Sequence, residues 1–220
     1  ITLTMTASES IKTPVVTFTS GGAAISDSSV TYTHASGDTW TAAYTVESGD
    51  TAGAVGYSIA FDDTSGNSGT AVTSGSGSAS VDVTAPTLAS VTAISTPAAN
   101  VTPSFVFSSD EAGTITSSIT EGFSTSASAV SGNNTITFNA LGDGTYSGKT
   151  ITVTDPTGNA TSLTIPTFAI DATGPTMTIA SSTVNSGATS NSSSISVSFT
   201  ANESTTNFAA GDVTVGSGSL

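Results

Sequence analysis

Apolar residues alternate with Thr and Ser along most of this chain, as in "ITLTMTASE" (1–9), "PVVTFTS" (14–20), "VTYTH" (30–34), "TWTAAYTV" (39–46) and "VGYSIAFDD" (55–63). Successive side chains of a strand point to opposite faces, so a period of two puts one face on a core and the other in water. The pattern returns in "LASVTAIST" (88–96), "VTPSFVFSS" (101–109), "TITSSIT" (114–120), "NNTITFNAL" (133–141), "TYSGKTITVTD" (145–155) and "LTIPTFAI" (163–170). No stretch of comparable length carries apolar residues at three- and four-residue spacing. The expected fold class is therefore all-β, with antiparallel sheets packed as sandwiches and essentially no helix. β-branched Thr suits an exposed pleated face, which explains why it stands where Lys or Glu otherwise would.

Composition narrows the function. Of 220 residues, 83 are Ser or Thr and only 8% are charged, about a third of the usual ~25%. Polar chains without periodicity stay disordered, and the alternation argues against that state. Lys12 and Lys149 are the only basic side chains against sixteen acids, for a net charge of −14. A phosphate backbone is gripped by Lys and Arg that release its counterions, so nucleic acid is excluded as a partner and anionic membranes are disfavoured. Such a surface implies either a small cation as partner or simply a surface kept soluble by self-repulsion. The absence of Cys removes disulfides and thiolate metal sites. No run approaches the ~18 apolar residues of a membrane-crossing helix, so no direct membrane insertion is expected of this segment. Ile1 falls inside what reads as a strand. The expectation is a piece of a longer protein whose export signal and anchor lie elsewhere.

Repetition organises the chain. "DVTAPT" (82–87) returns 89 positions later as "DATGPT" (171–176). "MTASE", "FSSDE" and "FTANE" end at Glu9, Glu111 and Glu203, each closing what would be the second strand of its unit. "DTSGN" (63–67) and "DPTGN" (155–159) share a Gly turn before the last strand. Three units follow: 1–84, lacking its first strand; 85–173, complete; and 174–220, holding only first strands. A spacing near 90 residues matches an immunoglobulin-like sandwich of about seven short strands.

The joint set of "TASES" or "TANES", the D-x-T-G-N turn, "LGDGTYS" (141–147) and the D-x-T-x-P junction resembles the bacterial immunoglobulin-like repeats of very long surface adhesins and other extracellular proteins. The resemblance covers essentially the whole chain. It implies tandem sandwiches on an extended stalk, with Ca²⁺ stiffening the junctions and a binding domain elsewhere. Units one and three look alike, whereas unit two carries "DEAGTI" (110–115), so two subtypes alternate and ligands of one need not carry to the other.

In such a sandwich the loops after the second and sixth strands lie at the end where the chain comes in. Unit two would gather Asp82, Asp110, Glu111 and Asp155 there, hard oxygen donors of the kind Ca²⁺ takes six to eight of. Unit three offers Asp171 and Glu203, and unit one offers Glu9, Asp62 and Asp63. The alternative is that each acid serves a turn, because Asp side chains accept nearby backbone N–H groups without any metal. Tyr146 is placed as a corner tyrosine that ties down the loop before it.

Catalysis finds little footing. The single His34 lies at a strand end, and Asp62 and Asp63 are adjacent on a strand and point to opposite faces, unsuited to a paired-carboxylate hydrolase. A Lys–Asn crosslink would have only Lys12 or Lys149 to use. Trp40, Tyr32, Tyr44 and Tyr57 could form a sugar-stacking patch, but their alternation with Thr makes at least some of them core, and core is the favoured reading. Sequons stand at Asn100, Asn133, Asn159, Asn191 and Asn202, with Asn159, in a hairpin turn, expected to be the most accessible. The expected function is a non-catalytic rod or fibre at a cell or virion surface, whose partners are neighbouring domains of the same chain and identical chains in a fibre. The alternatives are an adhesive module that binds glycan or exchanges strands between chains, and a spacer of a secreted polysaccharide-active enzyme.

Overall fold

The computed structural model of the protein describes residues 1–27 and 29–216. Among them the chain is all-β and antiparallel almost throughout, and its only helical element is one 3-10 turn at Ala210–Asp212. The first seven strands are β1 (Thr2–Thr6), β2 (Val15–Ser20), β3 (Ala23–Ala24), β4 (Thr31–Ser36), β5 (Thr39–Ala43), β6 (Gly53–Ala60) and β7 (Ser80–Val81). They form one sheet in the order β1-β5-β4 and another in the order β3-β2-β6-β7. Val16, Phe18, Ala42, Tyr44 and Ile59 make their shared core, with Leu3, Met5 and Tyr57 packed against it. Val16 and Phe18 on β2, and Ala42 and Tyr44 on and after β5, are separated by two, as the alternation requires.

Nine strands follow: β8 (Leu88–Thr92), β9 (Ser104–Ser109), β10 (Gly113–Ser117), β11 (Ser128–Ala129), β12 (Gly132–Thr137), β13 (Gly144–Tyr146), β14 (Thr150–Thr154), β15 (Ala160–Thr164) and β16 (Phe168–Ile170). The sheets β12-β9-β8 and β11-β10-β14-β15 share a larger core, and β13 pairs with β16. Phe105 and Phe107 of β9 and Ile136 of β12 join Ile115 of β10 and Ile151 and Val153 of β14 in that core. Ala98 makes a parallel bridge to Ile170, its N–H donating to the Ala169 carbonyl and its own carbonyl accepting from Asp171.

Two long alternating runs do not form single strands as expected. "TYSGKTITVTD" divides into β13 and β14 at Gly148, whose φ of +63° breaks the extended backbone. "LTIPTFAI" divides into β15 and β16 around Pro166, which has no N–H to give a ladder. The last described segment holds the hairpin of β17 (Met177–Ser181) and β18 (Val197–Ala201), and no hydrophobic residue of it is buried. Phe199 and Phe208 lie against each other with centroids 5.2 Å apart.

Register carries the sequence repeat into three dimensions. Leu3 stands opposite Ala42 as Phe105 stands opposite Ile136, so β1 and β5 correspond to β9 and β12. Met177 stands opposite Ala201 as Leu88 stands opposite Ser109, so β17 and β18 correspond to β8 and β9.

Candidate metal centre

The repeated junction motif holds on through its last residue. Thr87 N–H donates to Asp110 Oδ1 (2.7 Å), and Asp110 N–H donates back to the Thr87 carbonyl (3.3 Å). In the third segment Thr176 N–H donates to Asn202 Oδ1 (2.6 Å), and Asn202 N–H donates to the Thr176 carbonyl (3.0 Å). An Asp and an Asn do the same work because only a side-chain carbonyl-type oxygen is needed. Asp110 is thus committed to the latch, and the Thr87 N–H and hydroxyl hold its carboxyl below the ordinary range.

Three of the four acids expected at this end do converge. Carboxylate oxygens of Asp82, Glu111 and Asp155 lie within 4.8 Å of one another. Asp82 comes from the junction, where its Oδ1 accepts the Thr84 N–H at 3.0 Å. Glu111 follows β9, and Asp155 opens the β14–β15 turn.

That turn is built around Asp155, which is only 5% exposed. Its Oδ1 accepts the N–H groups of Thr157, Gly158 and Asn159 and the Thr157 hydroxyl, at 2.7–2.9 Å. Its Oδ2 accepts Asn159 Nδ2 at 2.9 Å. Gly158 makes the wrap possible with a φ of +101°. Burial works to raise the Asp155 pKa, but the hydrogen bonds from Asn159, Thr157 and Gly158 outweigh it and bring it down to about 2. Glu111 goes the other way: burial first, then the charges of Asp82, Asp155 and Asp110, push its carboxyl up.

The donor set suits a hard cation. Ca²⁺–oxygen distances of about 2.3–2.6 Å put two ligands on opposite sides of one ion about 5 Å apart at most, so oxygens within 4.8 Å can share it. Three carboxylates would make up part of a shell of six to eight, the rest coming from backbone carbonyls and water. Asp155 Oδ1 is already saturated by its four donors, leaving Oδ2 as the oxygen able to contribute.

No protein family matches this sequence, and no curated protein matches it.

The other expected acids are not brought together in threes among the described residues. Asp62 Oδ1 accepts the Ser68 hydroxyl, and Asp63 accepts the N–H and side-chain amide of Asn67, repeating the turn of Asp155 without a group of three carboxylates around it. Glu9 is exposed and joins no such group. The Nζ of Lys12 lies 3.6 Å from where a Cβ on Gly66 would sit, bringing a positive charge to this turn. Asp171 and Glu203 likewise form no cluster; the segment after Asp171 is held instead by Asp143, which accepts the Ala172 N–H and the Thr173 hydroxyl. Asp143 sits inside "LGDGTYS", where the sequence alone singles out only Tyr146. Tyr146 from the same motif donates to the Gly142 carbonyl at 3.0 Å, as a corner tyrosine should.

Asn159 is not the most accessible sequon. It is half-buried, and its Nδ2 donates to the Asp82 carbonyl, Asp155 Oδ2 and Thr157 Oγ1, whereas Asn100, Asn133, Asn191 and Asn202 are exposed. The bond to Asp82 ties the sixth-strand turn to the junction. His34 stacks on Trp40 at 4.5 Å, and its Nε2 pairs with the Gly37 carbonyl. Tyr44 is buried and Tyr32 and Tyr57 pack on the core, while Trp40 is half-buried beneath the exposed His34. No helix among the described residues is long and apolar enough to cross a membrane.

Gly113, in "DEAGTI", fits too tightly for any side chain. A Cβ on it would lie 2.5 Å from the Thr154 carbonyl oxygen, one residue before Asp155. Gly113→Ala must therefore part β10 from β14. The expected loss is about 1–3 kcal/mol, read by urea unfolding, with hydrogen exchange fastest at Thr152–Thr154. Unchanged stability and protection would show that β14 yields freely.

Proposed function

We propose that the chain is a non-catalytic structural segment of an extracellular surface protein, a series of immunoglobulin-like sandwiches that extends or spaces another part of the molecule. In this reading Ca²⁺ bound by Asp82, Glu111 and Asp155 stiffens the junction between the first two units. The observation that carries it is the meeting of three carboxylates from three separate segments, one of them the junction itself. Ionised Glu111 beside Asp82 and Asp155 is an unfavourable arrangement that a divalent cation relieves. Asn159 supports the same joint by bridging the turn to the Asp82 carbonyl. The low content of Lys and Arg and the Thr-rich outer faces fit a surface meant to stay solvated.

The test is a Ca²⁺ titration followed by thermal melting and small-angle scattering. A ligand at 100 times its Kd stabilises the folded state by about 2.7 kcal/mol. The melting temperature should rise and the particle should lengthen on average, both effects vanishing in Asp82→Ala and Glu111→Gln. Binding should weaken as the pH falls into the range where Glu111 takes up its proton, which lies above the ordinary glutamate value. Calcium-independent melting and scattering would reduce the three acids to turn residues.

A further inference from the structure

The two junctions are fastened differently. Where the chain leaves the second unit, Asp171 N–H donates to the Ala98 carbonyl, and Asp143 accepts the Ala172 N–H at 2.8 Å and the Thr173 hydroxyl. Three consecutive residues of the outgoing chain are thus tied to the unit they are leaving. Gly174 and Pro175 then intervene before Thr176, whose N–H is held by Asn202 of the next segment. Asp143 belongs to no group of three acids among the described residues, so it works through hydrogen bonds alone. Donors from two adjacent residues on one ionised carboxylate tie down the backbone between them.

Register shows what stands in place of Asp143 one unit earlier. Gly144 of β13 pairs with Ile170 of β16, and Gly53 of β6 pairs with Val81 of β7. Ile170 and Val81 immediately precede the Asp of the two junction motifs, and both glycines have positive φ, +148° and +135°. Ala52 therefore occupies the position of Asp143, while Val83 and Thr84 occupy those of Ala172 and Thr173. The methyl group of Ala52 accepts nothing, and Thr84 N–H turns to Asp82 Oδ1 instead. The first junction keeps the residues that a strap would hold and lacks the strap. It is gripped from the far side, by Asn159 on the Asp82 carbonyl. We infer that Asp143 is a metal-independent strap that fixes the direction in which the chain leaves the second unit. Ala52 leaves the first junction without one, so a cation at Asp82, Glu111 and Asp155 has motion there to arrest. One residue ahead of a glycine thus sets each joint separately.

The strap rests on reading 82–87 and 171–176 as junctions between units, but not on calcium, so the experiment uses the full chain in EDTA. Melting and scattering that ignore calcium would remove the metal centre and leave Asp143 untouched. Amide hydrogen exchange reads the bonds. Because hydrogen bonds to charged acceptors are the strong ones, Asp143→Ala should speed exchange of the Ala172 N–H by about tenfold or more. Unchanged protection of Ile151 and Val153 then shows that the core of the unit is intact. Ala52→Asp, at an exposed position, should do the reverse and slow exchange at Val83 by a similar factor. Spin-label pairs read the joints. Thr116→Cys with Thr178→Cys spans the second joint, and Thr33→Cys with Thr116→Cys spans the first, all at exposed positions. Asp143→Ala should widen the distance distribution across the second joint, and Ala52→Asp should narrow that across the first. An Asp143→Ala chain that keeps its Ala172 protection, or loses it without any widening, would overturn the strap. An Ala52→Asp chain in which either Val83 exchange or the first-joint distribution stays put would overturn the place given to Ala52.

Discussion

Phe107→Ala lowers the stability of the second unit by about 3–5 kcal/mol, the range found for a buried aromatic cut to Ala. Phe107 is fully buried on β9, its ring 6.3 Å from that of Phe105 and its strand flanked on both sides. No partner can slide into the gap without breaking a ladder, so the cavity persists. For domains that are stable by only about 5–15 kcal/mol, that is a large share. The single Trp40 lies on β5, in a sheet of the other core, which makes the measurement selective. In urea, the circular dichroism transition of the variant should move to lower denaturant while the Trp40 fluorescence transition stays where it is. Equal movement of both would mean that the two cores unfold as one cooperative block.

Asp155→Ala should be the most damaging carboxylate substitution. Asp155 accepts five hydrogen bonds, from Thr157 N–H and hydroxyl, Gly158 N–H, Asn159 N–H and Asn159 Nδ2, and its removal leaves those donors of a buried turn without their acceptor. Its pH dependence has a definite sign. The folded pKa is lowered to about 2 from 3.8, so the contribution of Asp155 is fully present above pH 3.8 and is lost as the pH falls towards 2. Glu111, pushed up, runs opposite: what it contributes is present below its ordinary value and disappears as the pH rises through its folded one. Thermal melts from pH 7 to 2 should therefore show the wild-type advantage over Asp155→Ala shrinking below pH 4. A constant difference would mean that the turn holds its shape without the charge.

Much of this architecture was legible because Thr and Ser mark one strand face so consistently. Phe105 and Phe107 were readable as core from "SFVFSS", and the meeting of Asp82, Glu111 and Asp155 followed from strand order and the repeat. What stayed hidden depended on single hydrogen bonds. Asp110 and Glu111 are neighbours of like charge, and only the Thr87 N–H decides that Asp110 serves the latch while Glu111 faces the other acids. Asn159 looked like an exposed turn residue until its amide was found on the Asp82 carbonyl. The two-residue strands β3, β7 and β11 are too short to show a period.

The parallel bridge of Ala98 to Ile170 bears on how the second unit would respond to tension. Its two hydrogen bonds join a segment shortly after the first strand of the unit to its last strand, running in the same direction. If the chain is pulled from both ends, the leading segment is drawn backwards and the trailing one forwards along their common axis. The bonds across the bridge, together with that from Ala169 N–H to Thr96 Oγ1, are then loaded at once in shear. A hairpin pulled open from one end would yield them one after another. A chain that spaces objects under drag or flow would gain from placing its shear-loaded contact where its two ends cross.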